Sequence, residues 1–286
     1  MKNFVMFCKT YSGDMNRVRL MIESFNKYNV DAISLILSVP ESEIDKFRQF
    51  ESKTIAIVSD ESYACKYFTK EKLHNLPVGY VNQEICKLAF WESKIAKNYL
   101  CIDSDLLFIR DFHESDFMAD KNTPFTILVM DKDLAIEKHY HEFWLWRQEF
   151  IKKIYAAVGL QDRRYRTCHG MQVLNAAVLQ SLKHDFIAKH KYNYVDLIAI
   201  APYEFTWYNA WFQKCGLVPE VAVEPFFKTF HMRIEYILSR LRGLDLKDYA
   251  YSYVGIILNG NWKRPEHTYQ KPSWWMKRLY KFLKRK

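Results

Sequence analysis

From Leu100 to Ile109 the chain reads Leu-Cys-Ile-Asp-Ser-Asp-Leu-Leu-Phe-Ile, two carboxylates in a stretch that is otherwise apolar and β-prone. Taken as a strand, Leu100–Ile102 and Leu106–Ile109 belong in a buried core. Charge placed there is costly unless neutralised, and Asp103 and Asp105, two residues apart, repel each other as well. A hard divalent cation resolves the conflict. Mg²⁺ or Mn²⁺ takes oxygen ligands, typically one or two carboxylates with the remainder from substrate phosphates and water. The pattern therefore predicts a metal-bridged diphosphate at a strand end, where open α/β sheets bind ligands.

The N-terminal half alternates between the two hydrophobic periods. Phe4–Tyr11 reads as a strand and Asp14–Tyr28 as a helix with apolar Val18, Met21, Ile22 and Phe25. Residues Ala32–Val39 form a second strand, the stretch from Pro40 to Phe50 a helix, and Thr54–Val58 a third strand. This βαβαβ beginning builds a parallel sheet. With eight glycines in 286 residues and no Gly-rich phosphate loop, classical Rossmann oxidoreductase and P-loop readings are poor. Further on, Tyr80–Asn98 is expected to be helical, Phe125–Met130 a strand, and Glu137–Val158 and Met171–Leu182 helices. Asp196–Ala201 is expected to be a strand and Tyr203–Cys215 a helix. The segments Val221–Val223 and Phe226–Phe230 look extended, and Met232–Leu241 is a helix stopped by Gly243.

An Asp-X-Asp is common by chance, and Asp131–Asp133 is a second copy. The surrounding order carries more information. Gly-Tyr-Val-Asn-Gln-Glu-Ile-Cys-Lys-Leu at 79–88 precedes the motif. Asn-Ala-Ala-Val-Leu-Gln-Ser-Leu at 175–182, Tyr-Glu-Phe-Thr-Trp-Tyr-Asn at 203–209 and Phe230-His231 follow it. Over roughly residues 1–235 this order resembles bacterial GT-A-type glycosyltransferases with an Asp-X-Asp motif, of the kind found in capsule and lipopolysaccharide biosynthesis clusters.

The resemblance implies an α/β GT-A fold, a mostly parallel central sheet flanked by helices, followed here by a C-terminal amphipathic helix. It implies Mn²⁺ or Mg²⁺ as cofactor and a nucleotide-sugar donor, expected to be a UDP-sugar. Asp105 is then the direct metal ligand, and Asp103 faces the donor ribose or sugar or shares the metal. His231 closes the metal shell, with Lys228 or Arg233 near the diphosphate; His231 taken alone is equally a polar surface or core residue. Gln83 and Lys87, one turn apart, face the donor, or else lie on an exposed amphipathic face. Thr10, Tyr11 and Asp14, at the end of the first strand, hold the nucleobase and ribose, or provide a helix N-cap. Asp60 is a further candidate of that kind.

Glu204 opens an aromatic segment, with Trp207 and Tyr208 close by to stack on a sugar face. It is the expected base for the acceptor hydroxyl in an inverting enzyme, or the stabiliser of an oxocarbenium-like centre in a retaining one. The alternative is simple complementarity to a helix N-terminus. His169, in the basic loop Gln161–Gly170, is the second candidate base, whereas His139 and His141 have acidic neighbours and suit no metal.

The six cysteines at 8, 65, 86, 101, 168 and 215 contain no Cys-X-X-Cys pair and are expected to be reduced, buried thiols. No signal-peptide h-region or membrane-spanning run is evident. The net charge of +9 is concentrated at the end, where Lys271–Lys286 holds seven Lys or Arg and no acid. On a wheel at about 100° per residue, Trp275, Met276, Leu279, Tyr280, Phe282 and Leu283 share one arc and the cations the other. The expected organisation is a transferase domain over 1–265 and a basic aromatic tail over 266–286. The tail is expected to lie on an anionic membrane surface, or else to dock on the domain. No nucleic-acid motif accompanies the charge.

The expected activity is sugar transfer to a surface-glycan or glycolipid acceptor at the inner face of the cytoplasmic membrane. The alternatives are a non-catalytic glycan- or membrane-binding protein with a degenerate transferase fold, or a sugar-1-phosphate nucleotidyltransferase.

Overall fold

The computed structural model describes residues 1–130, 132–136, 140–161 and 170–259. His169, Cys168, Asp131 and the tail 266–286 lie outside them. In chain order the elements are β1 (Lys2–Lys9), α1 (Met15–Tyr28), β2 (Leu35–Val39), α2 (Ile44–Phe47), β3 (Ile55–Ser59), α3 (Glu61–Ala64), α4 (Val78–Ala89), β4 (Ala96–Ile102) and β5 (Leu106–Phe108). Then come β6 (Phe125–Ile127), α5 (Lys132–Ile136), α6 (His141–Val158), β7 (Val173–Asn175), α7 (Ala176–Ser181), α8 (Tyr194–Ile200) and α9 (Glu204–Cys215). The last are β8 (Val221–Val223), β9 (Phe227–Phe230), α10 (Arg233–Leu241), α11 (Leu246–Ala250) and β10 (Gly255–Leu258).

The chain divides into two compact units. The first comprises Met1–Asp14, Asp31–Asp103 and His113–Pro225; the second comprises Met15–Val30, Ser104–Phe112 and the chain from Phe226 onward. The first unit holds a five-stranded sheet in the order β3-β2-β1-β4-β7. All pairings in it are parallel except β4 with β7. Val5–Cys8 of β1 and all of β2 are buried, as expected for strands covered on both faces. The parallel α/β reading of the N-terminal half holds, with strand limits within three residues.

Two buried amide networks fix the C-terminal part of this unit. Gln172 donates to Asn209 Oδ1 (2.6 Å), while Asn209 donates to the Ile127 carbonyl (3.2 Å) and the Ile127 amide donates to Gln172 (3.1 Å). Asn175 donates to Asn98 Oδ1 at 2.8 Å, and its own Oδ1 caps α7 by accepting from the Ala177 and Val178 amides. Buried amides satisfied in this way specify one arrangement of α9, β6 and the β4–β7 edge.

In the second unit β5, β10 and β9 form a three-stranded sheet, with β10 antiparallel to β5 and parallel to β9. Phe25 of α1 packs against Phe108 and Phe112, at ring-centroid separations of 5.9 Å each. Gly255 is required by close approach, because a Cβ there would stand 2.6 Å from the Leu107 carbonyl oxygen.

Four sequence expectations change. The single strand through the aspartates is two strands, β4 and β5, in different sheets. The helix over Tyr80–Asn98 ends at Ala89, with a 3₁₀ turn before β4. Met171–Leu182 begins as strand β7 and only then turns helical. Asp196–Ala201 is the helix α8, capped by Asn193, whose side chain accepts from the Asp196 amide while the Asp196 carboxylate accepts from the Asn193 amide. Among the described cysteines, Cys8, Cys86 and Cys101 are buried, but Cys65 is exposed and Cys215 half-buried, and no disulfide joins any two of them.

Candidate active site

The strand order reverses at β1, which pairs with β2 on one side and β4 on the other. Such a switch point opens a crevice at the carboxyl ends of the strands. The β1–β4 ladder ends at the Cys8–Ile102 pair. Thr10 and Asp103 therefore follow directly beyond it. Thr10 is buried, and among the described residues its hydroxyl has no hydrogen-bond partner. Tyr11 is exposed, with its ring folded over Gly13, where a Cβ would come within 2.4 Å of it. Asp14 donates its amide to the Tyr11 carbonyl, closing this loop.

Asp60, at the end of β3, is engaged internally. It lies 2.6 Å from Lys9 Nζ and accepts from Ser38, whose hydroxyl also meets Tyr63. Burial raises its carboxyl pKa, against the pull of Lys9. This network braces β1, β2 and β3.

Asp103 and Glu204 are brought together by one buried lysine. Lys87 of α4 is only 4% exposed, and its Nζ stands 3.1 Å from Asp103 Oδ1 and 3.0 Å from Glu204 Oε1. The ammonium also lies 5.0 Å from the Phe205 ring centroid. Burial favours the neutral amine, but Asp103 and Glu204 outweigh it and hold Lys87 well above the ordinary lysine range. Gln83, one turn earlier, donates to Asp103 Oδ1 at 3.4 Å. Lys87 is thus the hub that joins Asp103 and Glu204, with Gln83 on Asp103; the sequence names these residues but not their pairing.

Three further groups were not singled out in the sequence. Glu84 is buried, and its carboxyl meets the Tyr80 hydroxyl one turn before it. Burial, reinforced by the Glu204 charge and opposed by Lys87, pushes its carboxyl well above the usual carboxylate range. Tyr80 has an exposed ring, yet burial of its hydroxyl end beside Glu84 and Glu204 pushes the phenol pKa up. Tyr203, just before Glu204, likewise has a buried, unpartnered hydroxyl and a raised pKa caused chiefly by burial. The buried Arg147 guanidinium lies 5.7 Å from the Tyr203 ring centroid. The available signal was the spacing of Tyr80, Gln83, Glu84 and Lys87 at i, i+3, i+4 and i+7, which puts all four on one helix face.

Trp207 and Tyr208 do not present their rings to a sugar, being 0% and 1% exposed. Trp207 donates to the Leu197 and Ala201 carbonyls, and Tyr208 Oη accepts from the Asn175 amide. Both are core residues that fix α9, because bulky rings with one polar tip are easily satisfied inside.

In the second unit Asp105 precedes β5 and His231 follows β9. Leu258 at the end of β10 pairs with Phe230 and donates its amide to the Asp105 carbonyl. Asp105 and His231 therefore flank the same end of β10 on one sheet edge. Carboxylate oxygen and imidazole nitrogen suit Mn²⁺, with remaining positions for diphosphate and water oxygens. Among the described residues no group of three or more His, Cys, Asp or Glu is set to hold a metal. Lys228, named with His231, has its ammonium 5.8 Å from the Phe230 ring centroid.

Residues 5–152, more than half of the 286-residue chain, match the model of a family of unknown function, DUF6492. The chain belongs to DUF6492. No curated protein matches this DUF6492 chain in sequence. In structure it is similar to the galactosyltransferase LgtC with donor and acceptor sugar analogues, at a TM-score of 0.50 and 13% identity, covering 92% of this chain and 91% of that one. It is also similar to apo mouse xyloside xylosyltransferase 1, at a TM-score of 0.46 and 11% identity, over 92% and 99% of the two chains. The LgtC likeness establishes the fold: this DUF6492 member has the GT-A architecture, a mostly parallel sheet flanked by helices.

Proposed function

We propose that this chain is a glycosyltransferase that moves a hexose from a nucleotide-sugar donor, a UDP-sugar, to a glycan or glycolipid acceptor of a bacterial capsule or lipopolysaccharide. The observation that carries the reading is the buried Lys87 ammonium, clamped between Asp103 and Glu204 at the carboxyl edge of a GT-A sheet. Ion pairs this deeply buried are poor stabilisers compared with apolar packing, so their presence at a sheet switch point favours chemistry over structure.

Thr10 and Tyr11 take the nucleoside, with the exposed Tyr11 ring stacking on the base and the unpartnered Thr10 hydroxyl hydrogen-bonding to it; Asp14 faces the ribose. Asp103, oriented by Lys87 and Gln83, takes the donor ribose or sugar. Asp105 and His231 are the residues that would hold Mn²⁺ or Mg²⁺. When bound, the cation supplies neutralisation of the charge that grows on the nucleoside diphosphate leaving group.

Glu204, held at Oε1 by Lys87, accepts the acceptor hydroxyl proton as the new glycosidic C–O bond forms and the bond from the anomeric carbon to phosphate breaks. His169 is the second candidate for that proton. The segregated arcs of the tail support placing the enzyme on the cytoplasmic membrane face, where lipid-linked acceptors concentrate.

The test is a thermal-shift series with UDP, GDP, ADP and CDP, each with and without Mn²⁺, since a native-state ligand raises apparent stability by mass action. A Mn²⁺-dependent shift with UDP is expected. No shift with any of the nucleotides overturns the reading.

A further inference from the structure

With Trp207 and Tyr208 in the core, the aromatic surface beside Glu204 belongs to other residues. Trp146 of α6 is 39% exposed and packs edge-on against Tyr203, with ring centroids 6.1 Å apart. Phe150 completes a three-ring cluster, its centroid 6.0 Å from Tyr203 and 4.7 Å from Trp146. Phe143, also exposed, extends the surface 5.7 Å beyond Trp146. The Arg147 guanidinium also packs on the Tyr203 ring. The hydroxyl ends of Tyr80 and Tyr203, the Glu84 carboxyl and Glu204 lie within electrostatic reach of one another. Tyr203 Oη there is buried without a hydrogen-bond partner among the described residues, while the buried Glu84 carboxyl meets the Tyr80 hydroxyl. Buried orphan polar atoms normally mark a missing partner.

We propose that Trp146, Tyr203 and Tyr80 form a subsite for a pyranose ring of the acceptor, next to Glu204. A pyranose has the two properties this surface asks for: an apolar C–H face for the Trp146 indole, and hydroxyls that both donate and accept. An acyl chain meets only the first requirement, and its approach would leave the Tyr203 hydroxyl unpaired. This assignment rests on the transferase reading of the Lys87–Glu204 centre.

Saturation-transfer NMR without donor or metal tests it, using the methyl β-glucoside, β-galactoside, α-mannoside and β-xyloside as probes. At least one probe is expected to show saturation at its ring C–H protons. Trp146→Ala is expected to weaken that probe about tenfold, whereas Leu145→Ala, exposed on the same helix, leaves it unchanged. Tyr203→Phe, which removes only the hydroxyl, keeps the stacking signal but weakens binding.

Absence of contact with every probe, or full binding by Trp146→Ala, overturns the subsite. Loss of phosphatidylglycerol-vesicle binding in Trp146→Ala with no sugar signal overturns it in favour of a membrane contact. The nucleotide shift, run without sugar, fails or succeeds independently. Nucleotide binding without pyranoside contact removes the subsite alone, while pyranoside contact without nucleotide binding removes the transferase reading.

Discussion

The Lys87 ammonium lies 3.0 Å from Glu204 across 117 residues of sequence, and both side chains are almost fully buried. Removing one partner of such a pair leaves an unpaired buried charge. Lys87→Met is expected to lower stability by about 3–5 kcal/mol. Adding Glu204→Gln to it should recover most of that loss, because the buried residual charge disappears and Asp103, partly exposed, stays solvated. Chemical denaturation of the two variants measures both terms; a Lys87→Met protein as stable as wild type would contradict the pairing.

Glu84 gives stability a defined pH dependence. Its folded pKa is raised by burial and by Glu204, against Lys87, so the folded state prefers the protonated acid. That contribution is fully present below the ordinary glutamate value of 4.5 and is lost as pH rises from there toward the folded pKa. Glu84→Gln, permanently neutral, should therefore gain on wild type as pH is raised above about 4.5. Denaturation midpoints compared across pH check this. A constant difference at all pH values would show that the Glu84 pKa is the same folded and unfolded, contradicting the raised value.

Trp207 separates core from site. Trp207→Ala should cost about 3–5 kcal/mol through cavity formation. At a temperature where the variant remains folded, its nucleotide affinity should match wild type. Calorimetric titration with UDP and Mn²⁺ distinguishes this from a direct donor contact, which would weaken binding at unchanged fold.

Much of the site was legible because its signals are local. Asp103 and Asp105 stand out as charges in an apolar run, and Gln83 and Lys87 share a helix face with Tyr80 and Glu84. What escaped depends on distant pairing. Leu106 and Phe108 are as buried as Leu100 and Ile102, so nothing in the run shows that the chain changes sheets after Asp103. The run Leu197–Ile200 is short and apolar, a pattern that strands and buried helix turns share. The deciding cue was the Asn193–Asp196 capping box. Trp207 and Trp146 have the same chemistry, and only the packing of α9 against α6 and α8 decides which one meets solvent.

The tail 266–286 makes a separate prediction. Deleting 272–286 should abolish binding to phosphatidylglycerol vesicles while sparing hydrolysis of a soluble donor, because the apolar arc and the cations are removed together. Cosedimentation measures it. Unchanged vesicle binding would place the membrane contact elsewhere or remove it.

The most direct test of the Lys87-centred donor site is nucleoside diphosphate release from UDP-glucose, UDP-galactose and UDP-N-acetylglucosamine with Mn²⁺, compared between wild type and Asp103→Asn. Asp103 is partly exposed, so the variant should fold. The predicted result is release from at least one donor by wild type, reduced by about 100-fold or more in Asp103→Asn, in line with the loss of one preorganised electrostatic contact. Equal release by both proteins, or none from any of the three donors, would contradict it.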